Sequence, residues 1–279
     1  MDAPALVLIN GQPASTVPVT DRGLQYGDGL FETMRLHQGR IPLWPLHLAR
    51  LRAGADRLGL ALNGDLLEAS LRQACDTTDQ GTLKLCLTRG DTGRGYGYPA
   101  GQASRLILYL YPANSVAPQP GGIRVRLCQT QLARQPTLAG LKHLNRLEQV
   151  LARAEWQPPA FQEGLVCDTD GWLIEGTFSN LFLYRDGELL TPKLDMAGVA
   201  GVLRQHLITQ QPLGLPVRET RLRPDDLHSA QSCFLTNALI GLWPVAEVVL
   251  PSGPLRLPDV TMPRRIYQTL VSELGFAAN

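Results

Sequence analysis

No run of apolar residues in this 279-residue chain approaches the length a helix needs to cross a bilayer, about 20 residues. A membrane span is therefore not expected. An excess of one charge is also missing: 26 Lys and Arg stand against 25 Asp and Glu, a formal net charge of +1. The basic residues are spread along the chain, which gives no electrostatic case for a nucleic-acid surface. Cysteine is sparse, and Cys75, Cys86, Cys128, Cys167 and Cys233 are odd in number with no pair at metal or redox spacing. They read as reduced thiols of a cytoplasmic protein. His37, His47, His143, His206 and His228 share no spacing with carboxylates or cysteines that would hold a metal. Met1-Asp2-Ala3-Pro4 puts no basic segment ahead of an apolar core, so secretion is not expected. No internal repeat or low-complexity tract is present. What remains is a globular chain, 44% hydrophobic, able to form one large or two modest cores, with a small molecule as the default partner.

The chain opens as sheet. Ala5 to Asn10 is apolar and ends in Asn10-Gly11, a two-residue hairpin signal, with a returning strand expected over Ser15 to Val19. Asp21-Arg22-Gly23-Leu24-Gln25-Tyr26-Gly27-Asp28-Gly29 reads as tight turns leading into a strand from Leu30 to His37, which turns at Gln38-Gly39. Pro45 suits a helix start, and Leu48, Leu51, Ala55 and Leu58 repeat at helical spacing until Gly59. Arg50 lies beside that stripe at a buried boundary, where it requires an anion, either an acidic side chain or a ligand. A helix over Asp65 to Cys75 and a strand over Thr82 to Thr88 follow.

Gly95-Tyr96-Gly97-Tyr98-Pro99-Ala100 fits a dinucleotide fingerprint on paper, but Pro99 and the strand-like Arg105 to Tyr111 leave no helix for it to open. A mobile surface loop carrying Arg89, Arg94 and Tyr96 is expected instead, of a kind that closes over substrates. Ala113 to Gly122 is rich in Pro, Gly, Asn and Ser and reads as a linker. The expected organisation is α+β in two domains: a smaller one over residues 1–112, a linker over 113–122 and a larger one over 123–279. The second begins with a strand over Ile123 to Cys128, has turns at Asp168-Thr169-Asp170-Gly171 and Arg185-Asp186-Gly187, and has helices over Val202 to Gln210 and Asp259 to Leu274.

Lys142 stands in a short connection just ahead of a helix expected from Arg146 to Trp156. Asn145 and Glu148 have the spacing of a capping pair, and Pro158-Pro159 ends the helix. A lysine so placed is suited to form a covalent bond. Most lysines near helix starts are merely solvated. Two further stretches change the odds: Glu175-Gly176-Thr177-Phe178-Ser179-Asn180-Leu181-Phe182, and Leu189-Leu190-Thr191 continuing through Val199-Ala200-Gly201-Val202-Leu203-Arg204. Together with Lys142 they resemble the fold-type-IV pyridoxal-phosphate enzymes, the family of branched-chain and D-amino-acid aminotransferases and of aminodeoxychorismate lyases. Within it, Leu138 to Leu151, Asp21-Arg22, Gly27-Asp28-Gly29 and Arg94-Gly95-Tyr96 are similar to the lyases. Branched-chain aminotransferases typically have Tyr where this chain has Arg146.

The resemblance implies pyridoxal 5'-phosphate in the cleft between two domains of a homodimer, tethered by Lys142, with Glu175 on the ring nitrogen. It places Arg50, Asn180, Gly201, Val202, Leu203 and Thr236 at the cofactor, where the start of a helix at Gly201-Val202-Leu203 favours a phosphate. Thr236, Val202 and Leu203 are positions that vary among these enzymes. Thr33 falls beside the cofactor as an aid to catalysis by Lys142, and Arg94, Tyr96 and Asn237 fall at the substrate. For Thr236-Asn237 a simple turn is the equal alternative. The lyases take 4-amino-4-deoxychorismate to 4-aminobenzoate and pyruvate. An aminotransferase on the same scaffold and a non-catalytic vitamin B6 binder are the other readings, and the presence of both Lys142 and Glu175 disfavours the binder.

Overall fold

The structure, a computed structural model, describes residues 3–113, 119, 121–257 and 259–276; of the expected linker, residues 114–118 and 120 lie outside the described residues. The chain divides into two compact units. One comprises Met1–Ser115 with Leu141–Asn145, the other Val116–Gly140 with Arg146–Asn279.

In the first unit, β1 (Leu6–Ile9) turns at Asn10-Gly11 into β2 (Gln12–Pro13), both turn residues having positive φ. The returning strand is thus two residues long, and none forms over Ser15 to Val19, where Pro18 denies the ladder a donor. A short helix α1 (Arg22–Tyr26) precedes β3 (Gly29–His37), and α2 (Trp44–Leu58) and α3 (Gly64–Thr77) precede β4 (Gln80–Thr88) and β5 (Arg105–Tyr111). These strands form an antiparallel sheet in the order β2-β1-β5-β4-β3, so β3 is an edge. Alternation divides its residues. Leu30, Glu32, Met34 and Leu36 are buried, and across the ladder so are Leu83, Leu85, Leu106, Leu108 and Leu110, whereas Phe31, Thr33 and Arg35 on the opposite face are partly exposed. Helix α2 packs against the buried face so closely that a Cβ on Gly54 would lie 2.8 Å from Leu30 Cδ1.

In the second unit, the strands are β6 (Ile123–Leu132), β7 (Glu163–Asp168), β8 (Leu173–Gly176), β9 (Asn180–Arg185), β10 (Glu188–Pro192), β11 (Val217–Thr220), β12 (Ser232–Asn237), β13 (Gly241–Leu250) and β14 (Gly253–Arg256). They form one mixed sheet in the order β11-β10-β9-β12-β13-β6-β7-β8, with β14 beside β13. Three helices accompany them among the described residues: α4 (Leu147–Arg153), α5 (Val202–Gln210) and α6 (Thr261–Leu274). Leu165, Leu181, Leu183, Leu235, Val245 and Val248 fill one buried cluster. Phe182 and Phe234 stack face to face at 5.0 Å, both fully buried. No helix of the described residues is long and apolar enough to cross a membrane. Truncating Phe182→Ala leaves Phe234 without its ring partner and is expected to cost about 3–5 kcal/mol in urea or guanidinium unfolding; a loss below about 1 kcal/mol would show that this part of the core repacks.

Candidate active site

Lys142 does not hang in a free connection. Its carbonyl accepts from Phe31 N at 2.9 Å, Leu144 N donates to Gly29 O at 2.9 Å, and His143 bridges antiparallel to Leu30, so residues 141–145 add to the open edge of β3. Two glycines make the room. A Cβ on Gly27, whose φ is 64°, would lie 2.6 Å from Asn145 Oδ1, and one on Gly29 would lie 2.4 Å from Leu87 O and 2.9 Å from Leu144 Cδ1. The Gly27-Asp28-Gly29 motif is thus a dock for the lysine segment. Lys142 Nζ sits 4.3 Å from the centre of the Phe31 ring, at cation–π distance, on the face of β3 that also carries Thr33.

The expected capping pair is not formed. Helix α4 starts at Leu147 with no side-chain cap at Arg146. Asn145 Nδ2 instead donates to Gly27 O at 3.0 Å, and Glu148 Oε1 accepts from Ala133 N at 2.7 Å. Both side chains satisfy backbone groups that loops leave over, a demand that overrides local capping.

Arg50 meets β3 from the helix side. Its Nε donates to Glu32 Oε1 at 2.7 Å and its Nη2 to Glu32 Oε2 at 2.5 Å, where His47 Nδ1 also lies at 2.7 Å. Burial alone would push the Glu32 carboxyl up, but the Arg50 charge and the hydrogen bonds from His47 and Arg50 outweigh it and hold the group down at about 2. An acidic partner for Arg50 is therefore present.

The loop expected to be mobile is pinned from beneath. Buried Arg22 donates to Gly95 O, Tyr96 O and Thr92 Oγ1 at 2.9–3.0 Å, and to Asp28 Oδ2 at 2.8 Å. Arg89, expected on the loop surface, is also buried: it donates to Asp28, Leu58 O and Gly59 O. Burial opposes ionisation of Asp28, yet the two arginines hold its carboxyl below the usual range. Arg94 and Tyr96 remain exposed, Tyr96 at 83%.

In the second unit, Glu175 on β8 is buried and its Oε2 accepts from Val199 N at 2.8 Å. Asn180 donates through Nδ2 to Val199 O at 2.9 Å. The same short loop holds Gly140: its N–H donates to Gly198 O and its carbonyl accepts from Ala200 N. Gly140 is two residues before Lys142. A Cβ on Gly198, whose φ is 86°, would lie 2.5 Å from Ile174 Cγ2, and one on Gly201 would lie 1.9 Å from Asn180 Oδ1. Neither position tolerates a side chain.

These residues fit the phosphate of the cofactor that the resemblance implies. Helix α5 has no side-chain cap at Gly201, and its first amides follow that glycine. Thr236, paired in register with Asn180, is fully buried, and its Oγ1 has no hydrogen-bond partner among the described residues. Val202 and Leu203 have buried side chains, so only their backbone could serve. Asn237 closes a turn, accepting from Leu239 N and Ile240 N and donating to Phe178 O. Arg204 is a strut tying Thr191 Oγ1 and Pro192 O to α5. No group of three or more metal-ligating side chains occurs among the described residues.

Two carboxylates went unnoticed in the sequence. Glu32 is the first. Glu163, fully buried, gathers Gly164 N, Thr177 N and Oγ1, Phe178 N and Ser179 Oγ, and so shapes the loop from Glu175 to Asn180. Burial holds its carboxyl above the usual range despite these donors. Its donors lie up to 16 residues away, so no local spacing announces it.

A sequence model described as amino-transferase class IV matches residues 29–248, and the chain belongs to that family. It is 33% identical over 267 residues to an aminodeoxychorismate lyase of Vibrio harveyi, covering 94% of this chain and 98% of that one. The crystal structure of 4-amino-4-deoxychorismate lyase from Pseudomonas aeruginosa superposes with a TM-score of 0.91 at 41% identity, covering 97% of this chain and all of the other. A D-alanine aminotransferase of Bacillus licheniformis is 26% identical over 252 residues, 87% of this chain and 88% of that protein. The fold is that of the fold-type-IV enzymes.

Two outcomes test this geometry. Gly29→Ala should displace the lysine segment and cost about 2 kcal/mol or more of unfolding free energy, because a non-flexible carbonyl is in the way; an unchanged midpoint in urea would refute the close approach. For Glu32, a folded value of about 2 against an ordinary 4.5 means stabilisation that is complete above about pH 4.5 and fades as pH falls toward 2. The stability gap between wild type and Glu32→Gln should therefore narrow by about 3 kcal/mol over that window in pH-stepped denaturation, and a gap independent of pH would contradict the ion pair.

Proposed function

We propose that this chain is a pyridoxal-phosphate-dependent lyase converting 4-amino-4-deoxychorismate to 4-aminobenzoate and pyruvate. One observation carries the reading: two proteins named for that reaction share 33% and 41% identity with it over nearly their whole lengths, whereas the quoted aminotransferase shares 26%.

When bound, pyridoxal phosphate supplies an electron-withdrawing ring that takes up the charge left when a neighbouring carbon loses its proton. Lys142 tethers it. Of the chain's three lysines, Lys193 is exposed on the surface and Lys84 Nζ lies 5.9 Å from the Phe31 ring centre, farther than the 4.3 Å of Lys142 Nζ, the lysine the resemblance points to. Glu175, its carboxylate held by Val199 N, would hold the ring nitrogen and favour its protonated form. Thr236 Oγ1 and the amides after Gly201 would hold the phosphate, with Asn180 shaping the cradle, and Arg50 is assigned to the same phosphate by the resemblance. Lys142 Nζ, beside Phe31, would serve as the base of the reaction. It takes the proton from the ring carbon bearing nitrogen and returns one to the departing enolpyruvyl group, with Thr33 orienting the reacting atoms. Loss of pyruvate makes the ring aromatic, which drives the step. Arg94, Tyr96 and Asn237 are assigned to the substrate side. We place the enzyme in the cytoplasm as a homodimer. Five unpaired cysteines support the first assignment, and exposed Leu147, Val150 and Leu151 along one side of α4 support the second.

Purified protein is expected to release pyruvate from 4-amino-4-deoxychorismate with no keto-acid acceptor present, and Lys142→Ala should abolish the visible absorption of the bound cofactor and lower turnover at least ~10²–10⁴-fold. Folded, yellow protein that makes no pyruvate would remove the lyase reading. Amino transfer to the cofactor from an amino acid alone would put an aminotransferase in its place.

A further inference from the structure

We propose that Glu32 is a positioning residue for Arg50: oriented by His47, it fixes the direction in which the guanidinium is presented to the phosphate of the bound cofactor. This rests on the assignment of Arg50 to that phosphate.

Glu32 is 1% exposed, on the helix-facing side of an edge strand. The attraction within the ion pair outweighs the desolvation of the buried carboxylate, but stability alone does not require so specific a contact geometry. Its geometry is instead that of a clamp. The carboxylate takes the Nε and Nη2 edge of a planar group, which fixes both the plane and the heading of Nη1; a lysine could not be held this way. Because Glu32 is ionised at neutral pH, it can only accept, so His47 Nδ1 donates to it. His47 is itself buried, and its Nε2 has no hydrogen-bond partner among the described residues. Its one polar contact there is with Glu32, and that contact stops the carboxylate from turning.

The proposal makes a prediction opposite in sign to simple electrostatics. A carboxylate beside Arg50 weakens its pull on an anion, so on charge alone Glu32→Gln should tighten phosphate binding; loss of positioning should loosen it. The test titrates the full-length apoprotein with pyridoxal 5'-phosphate and, separately, with pyridoxal, which lacks the phosphate, following the visible absorption of the bound cofactor. General loosening weakens both ligands alike, whereas misdirection of Arg50 lowers only the preference for the phosphorylated one. Glu32→Gln is expected to lower that preference about ten-fold. Arg50→Ala should lower it at least as far, and the double variant no further than Arg50→Ala alone. Glu32→Asp should recover part of the loss. An unchanged or increased preference in Glu32→Gln, with Arg50→Ala reduced, overturns the positioning role and leaves Arg50 as a phosphate ligand. An unchanged preference in Arg50→Ala removes the underlying assignment itself. Should Glu32→Gln fail to fold, His47→Asn, which keeps the ion pair, decides: a several-fold drop supports the proposal and no drop rejects it.

Discussion

Two backbone hydrogen bonds, Phe31 N to Lys142 O and Leu144 N to Gly29 O, are the constraint on which the candidate site depends. They turn a stretch of connecting chain into an added rung on an edge strand. The lysine thereby gains a fixed main chain, and only its side chain is left to move. Much of the surrounding sequence serves this docking. Gly27 and Gly29 clear the space, Asn145 satisfies Gly27 O, and Gly140 is bound to the loop that also holds Glu175 and Asn180.

Buried and half-buried carboxylates recur as organisers. Asp28 collects two arginines and through Arg22 anchors the loop bearing Arg94 and Tyr96. Glu163 collects five donors and shapes the turn between Glu175 and Asn180. Glu32 collects Arg50 and His47. Each is costly to bury and made acceptable by full pairing. Glu32 touches Arg50 directly, while Asp28 and Glu163 shape loops that carry other residues assigned to chemistry.

Much of the architecture was legible in the chain because its signals are local. Gly59 ends α2 as its positive φ requires, Val202 to Gln210 is a helix with those bounds, and Arg105 to Tyr111 is a strand with those bounds. The hairpin signal at Asn10-Gly11 was right about the turn and wrong about the returning strand, because a turn dictates direction while the length of the ladder is decided by a distant edge. Asn145 and Glu148 misled for the same reason: their spacing describes a cap, yet tertiary acceptors and donors claimed both. Lys142, Glu175 and Asn180 are proposed from resemblance of motif, whereas Glu32 and Glu163 carry no such signal, since their partners are set by the fold and not by neighbouring residues.

The first unit is not a continuous stretch of polypeptide, because it includes Leu141–Asn145. On a ribosome, which delivers residues in order, the amino-terminal half cannot be completed until part of the other half has been translated. Until then β3 keeps unsatisfied backbone groups along its outer side, a vulnerability during biosynthesis that disappears only when the segment bearing Lys142 arrives.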